Sequence, residues 1–120
     1  MVATAINQSF TTLLAAAGIR ITYARGDANV SVLAVPGSTQ YAESTGAGYI
    51  ETSQTRDYLI LATELNIGGE PVLPERGDTI TESVNCVDMV YPVASPGGDR
   101  LYGYADPYRQ VLRIHTTQTR

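Results

Sequence analysis

The alternation of apolar and polar positions divides the chain into one helix followed by a run of strands. Residues 2–17, VATAINQSFTTLLAAA, place Ile6, Phe10, Leu13, Leu14 and Ala17 on one stripe at three- and four-residue spacing. That spacing predicts an amphipathic helix, with Gly18 as its stop. The stripe fits either the protein's own sheet or a neighbouring subunit. Asp57-Tyr58-Leu59-Ile60-Leu61 is apolar on both alternating faces, as in a central strand covered on two sides. Ala62 to Leu65 has the composition of one helical turn, which Gly68-Gly69 breaks.

Other strands are expected around this one. Ile19 to Ala24 and Asn29 to Val35 flank an Arg25-Gly26-Asp27 turn, and Pro36-Gly37 is expected to end the second of them. Residues 38–54 carry a flexible Ser44-Thr45-Gly46-Ala47-Gly48 core between extended flanks, which predicts a protruding hairpin. Pro74 to Asp78 has turn chemistry at almost every position, with Asp78 able to bond back to the local backbone. In the strand from Asp78 to Val84, Ile80 and Val84 are expected to face inward. Val87, Met89, Tyr91 and Val93 mark one face of the next, with Asn85-Cys86 at the turn between. Leu101 to Tyr104 leads through Asp106-Pro107-Tyr108-Arg109 into a last strand, Gln110 to Thr116, in which Leu112 and Ile114 oppose Val111, Arg113 and His115.

The fold class is therefore mainly β: a small antiparallel β-barrel or sandwich of seven or eight strands, with an N-terminal amphipathic helix and a protruding glycine-rich hairpin. A length of 120 residues with 43% apolar content suits a single domain. Its parts are a helix over 2–17, a barrel over 19–116 and a polar tail over 117–120. Fourteen threonines and eight tyrosines favour strands. With no tryptophan and a single phenylalanine, tyrosine must supply most aromatic burial, each buried hydroxyl needing a partner.

Charge narrows the function. The net charge is −4, lysine is absent, and the eight arginines are scattered, mostly beside acids as in Arg56/Asp57 and Glu75/Arg76/Asp78. Tight nucleic-acid binding needs clustered positive charge, so it is not expected. An acidic surface past which DNA slides without sticking is compatible with this balance. The N-terminus lacks a signal peptide's pattern and no run approaches transmembrane length, so the expectation is a protein made in the cytosol and not held in a membrane.

The chemistry-bearing residues form no recognisable constellation. Cys86 is alone, His115 is the only histidine, and neither has an identifiable base, oxyanion site or metal-ligand partner. Gly46 and Gly48 lack the lysine and the strand-loop-helix context of a phosphate loop. The two Arg-Gly-Asp triplets, Arg25 to Asp27 and Arg76 to Asp78, fall where turns are needed anyway. No enzyme activity, small-molecule substrate, cofactor or metal is expected.

Several stretches resemble a family: Ile21-Thr22-Tyr23-Ala24-Arg25-Gly26, Thr55-Arg56-Asp57-Tyr58-Leu59-Ile60, Pro74 to Ile80, Asp106-Pro107-Tyr108-Arg109 and Leu112-Arg113-Ile114-His115-Thr116. In this order, across residues 19–116, they resemble the head–tail joining proteins of tailed bacteriophages, the neck components also called head-completion or stopper proteins. The resemblance implies a structural virion protein at the head–tail interface. It would form a homo-oligomeric ring beneath the portal and adaptor, receive the tail, and help retain a genome that passes through without specific binding. A tail-terminator or tail-tube subunit and a capsid decoration protein are the alternatives. Candidate inter-subunit or channel-facing residues are Ile6, Phe10 and Leu13 on the helix, Tyr41, Glu43, Tyr49 and Glu51 on the hairpin, and Arg113, His115 and Arg120 at the C-terminal end.

Overall fold

A computed structural model describes the backbone of residues 2–44, 50–95 and 100–117, and side chains within 8–39, 55–95 and 100–117. Helix α1 spans Val2–Ala17. Nine strands follow among the described residues: β1 Ile19–Arg25, β2 Ala28–Ser44, β3 Ile50–Leu61, β4 Asn66–Ile67, β5 Glu70–Pro71, β6 Thr79–Val84, β7 Val87–Pro92, β8 Tyr102–Tyr104 and β9 Val111–Thr116. Seven form one antiparallel sheet in the order β7-β6-β1-β2-β3-β9-β8, while β4 and β5 pair separately. A turn of 3-10 helix, Ala62–Glu64, follows β3.

The sheet curls until the chain leaving β7 meets β9. Val93 bridges Thr116, with Ala94 N–H donating to His115 O and Thr117 N–H to Pro92 O, both at 3.1 Å. One bridge does not close a barrel, and of the two expected forms the described residues make the sandwich-like one, a curled sheet. Its inner face encloses the main core of Ile21, Tyr23, Val32, Tyr58, Ile60 and Leu112, among others. The outer face of β3 and β9 carries Leu59, Leu61 and Val111, which α1 covers with Phe10 and Leu14. β3 is thus covered on both sides over 57–61, with Tyr58 and Ile60 buried inside and Leu59 and Leu61 half-buried under the helix. Burying Phe10 and Leu14 contributes ~1.5–3 kcal/mol each. The helix stripe is narrower than its spacing suggests, since Leu13 is 45% exposed. Gly18 is needed for close approach: a Cβ there would stand 2.3 Å from the Leu14 carbonyl oxygen, which also accepts the Gly18 N–H.

Two expectations are corrected. Pro36-Gly37 does not end β2, which runs on to Ser44, with Pro36 opposite Tyr58 and Gly37 opposite Asp57. Beyond Ala34 the pairing with β1 has ended, so proline's missing N–H falls where one side of the strand needs no donor. Val84 does not face the core but is exposed, and Val87 and Met89 on the same face are 57% and 38% exposed. β6 pairs with β1 only as far as Glu82, so the β6–β7 hairpin tip outruns the opposite wall. The residue buried at the inward position is Glu82.

The turns follow their residues. Gly26 takes φ 59° in the two-residue link between β1 and β2, and Gly68 and Gly69 take 66° and 83° between β4 and β5. Asn85 and Cys86 both have positive φ, 52° and 66°, at the β6–β7 tip. Before β9, the Asp106 carboxylate accepts the backbone N–H groups of Tyr108, Gln110 and Val111, so the Asp-Pro-Tyr-Arg stretch is a side-chain-organised turn.

Candidate functional site

Because neighbouring side chains on a strand point to opposite faces, Arg56 and Asp57 cannot serve each other. Asp57 lies on the outer face, directly opposite His115 on β9 and Gly37 on β2. Its side chain is fully buried. Oδ1 accepts from Thr55 Oγ1 at 2.6 Å and lies 2.9 Å from His115 Nδ1, while Oδ2 accepts from Thr39 Oγ1 and, at 3.4 Å, from Arg113. With Asp57 ionised, the imidazole proton must sit on Nδ1, since two acceptors cannot share that contact. Gly37 offers no side chain here, and the Arg113 guanidinium covers the gap, 3.8 Å from where a Cβ would stand. Burial alone would raise the Asp57 carboxyl. Donation from His115, Thr39 and Thr55 outweighs it and holds the group below the usual carboxylate range.

The inner face carries two more buried carboxylates, Asp78 just before β6 and Glu82 within it, two residues either side of Ile80. Glu82 accepts from Arg56 through Nε at 3.0 Å and Nη2 at 2.6 and 2.8 Å, and from the Tyr58 hydroxyl at 2.6 Å. The same guanidinium lies 5.5 Å from the ring centroids of both Tyr58 and Tyr91. Burial and then the bond to Glu82 push the Tyr58 hydroxyl well above its ordinary value. Asp78 accepts from the Tyr23 hydroxyl, from Arg25 at 2.9 and 3.0 Å and from Glu75 N–H at 2.9 Å. Here too burial works to raise the carboxyl, and Arg25, Tyr23 and the Glu75 amide together hold it low. Burial and the Asp78 bond raise the Tyr23 hydroxyl strongly.

These clusters tie strands distant in sequence: β2, β3 and β9 through Asp57; β3 and β6 through Glu82; β1 and the turn before β6 through Asp78. Among the described residues every buried side-chain nitrogen and oxygen has a partner, and no group of three His, Cys, Asp or Glu is placed to hold a metal. Cys86 is a free, exposed thiol at the hairpin tip.

Of the residues named from the sequence, Arg113 and His115 are brought together, both on Asp57. Phe10 is buried against the protein's own β3 and β9, and Leu13 faces outward. Tyr41, Glu43 and Glu51 occupy paired positions of β2 and β3, but their side chains, that of Ile6, and Tyr49 and Arg120 lie outside the described residues. Sequence reasoning missed Asp57, Asp78 and Glu82 as hubs. Their signal is a carboxylate at or beside an inward position of an otherwise apolar alternation, near tyrosines that need partners.

The fold is thus that of a mainly β protein whose buried charges join strands and whose β6–β7 tip leaves apolar side chains outside the core. The chain matches the family described as phage head-tail joining protein over residues 1–120, and it belongs to that family. It is thus a structural component of the bacteriophage virion, of the neck where head meets tail. A search of curated proteins finds no match. Among the described residues no helix is long and apolar enough to cross a membrane.

Proposed function

We propose that identical copies of this protein form a ring between the portal–adaptor assembly of the DNA-filled head and the tail, and that the ring helps retain the packaged genome. The observation that carries this reading is the family match across all 120 residues. The architecture supports it. Three buried carboxylates pin the sheet, so its rims can be presented in a fixed geometry. A net charge of −4 and no lysine suit a wall that DNA passes without adhering. The long β2–β3 hairpin supplies a projecting element that reaches a head or tail partner. No step of the role requires a reacting group.

The test is to mix the purified protein with portal–adaptor complexes and image the product. An added ring layer is expected, and filled heads carrying it should hold their DNA against nuclease better than heads without it. Attachment to capsid faces instead would assign a decoration role. Co-assembly with tail tubes alone would assign a tail-terminator role.

A further inference from the structure

Two unlike surfaces at the two ends of the sheet match each other. At the β7 end, the β6–β7 tip exposes Val84, Val87 and Met89 on one face and Asp88 and Val90 on the other, and Asp88 has no ion-pair partner among the described residues. At the β8 end, an open groove of about 590 Å³ is lined by Leu73, Leu101, Tyr104, Arg100 and Arg109. Arg109 lies over the Tyr104 ring at 5.7 Å, and neither Arg100 nor Arg109 meets a carboxylate among the described residues. The remaining wall is β8, an edge strand with only β9 beside it in the sheet.

We propose that the β6–β7 tip of one copy seats in the β8 groove of the next, with Asp88 between Arg100 and Arg109 and Val90, on the same face, against Leu73, Leu101 and Tyr104. Apolar meets apolar, and an exposed acid meets two exposed arginines. An interface that pairs two different faces of one subunit is heterologous, and its repetition gives a ring where the rotation between copies closes. The contact rests on the ring reading above and adds which surfaces meet. Phosphate is the weaker occupant: two arginines on a chain of net charge −4 make a small basic site, and the apolar lining would go unused.

Charge exchange tests the contact on portal–adaptor complexes, with rings counted by electron microscopy. Asp88, Arg100 and Arg109 are all exposed, and each variant's unfolding midpoint is checked first. Asp88→Arg alone, and Arg100→Asp with Arg109→Asp, should each reduce ring formation by about tenfold or more. The triple variant carrying all three reversals should recover it. Normal rings from Asp88→Arg, or no recovery in the triple variant, would overturn the contact while leaving the ring reading standing. Absence of any ring from the unaltered protein would remove both. Binding of a short single-stranded DNA that requires Arg100 and Arg109, with assembly indifferent to them, would give the groove to phosphate instead.

Discussion

Replacing Asp57 by asparagine keeps the shape of the outer-face hub and removes its charge. The carboxylate takes donors from Thr55, Thr39, His115 and Arg113. An amide oxygen can keep Thr55 and His115, but as neutral rather than charged acceptors, a loss of about 1 kcal/mol for each bond. The amide nitrogen would then face Thr39, whose hydroxyl can turn to accept, and Arg113, which cannot. Arg113 is about one-third exposed, so water takes over much of its solvation. The sum for Asp57→Asn is a destabilisation of about 2–3 kcal/mol at pH 7, or roughly 10 °C in midpoint for a chain of this size. Urea and thermal unfolding followed by circular dichroism measure it. The pH dependence gives an independent check. The folded carboxyl titrates below its ordinary value, so the unfolded chain takes up the proton first as pH falls. The stabilisation is therefore complete above about pH 4 and is lost as pH drops through the folded value. The gap between wild type and Asp57→Asn should narrow below about pH 4. A difference under about 0.5 kcal/mol at neutral pH, or a gap that stays constant into acid, would refute the reasoning.

Other expectations follow from the same contacts. Glu82→Ala strands the Tyr58 hydroxyl and the Arg56 guanidinium and should cost about 3 kcal/mol in urea unfolding, the lower end for a buried pair because Arg56 reaches water; a loss below about 1 kcal/mol would contradict the tie between β3 and β6. Cys86→Gly relieves a left-handed residue at φ 66° and should stabilise by about 1 kcal/mol, whereas a lower unfolding midpoint would show that the thiol packs usefully. Replacing residues 41–53 by a two-residue turn keeps Thr39 on Asp57 and should leave the unfolding midpoint within a few degrees while reducing head–tail joining. Loss of folding in that variant would make the hairpin part of the folding unit.

Much of the fold was legible because local pattern and tertiary role agree. The α1 helix with Phe10 and Leu14 inward, the doubly covered Asp57 to Leu61 run and the turns at Gly26, Asn85 and Gly77 are each fixed by nearby residues. Where the outcome depends on what lies across the sheet, local pattern misleads. Pro36-Gly37 has turn chemistry, yet the strand continues because β3 holds it and β1 has already ended. Val84, Val87 and Met89 alternate as a core face does, but no opposite wall reaches them. The hubs were hidden for the same reason. Arg56 and Asp57 are adjacent in sequence and turn to opposite faces, and their partners, Glu82 and His115, are 26 and 58 residues away. The candidate assembly residues on the β2–β3 hairpin carry no comparable local signal, because their partners would belong to other molecules.

The most direct measurement is a joining assay with heads and tails prepared without this protein. Adding the purified protein should convert DNA-filled heads and free tails into joined particles that retain their DNA, counted by electron microscopy. If the number of joined particles does not change with added protein, its place at the head–tail junction is contradicted.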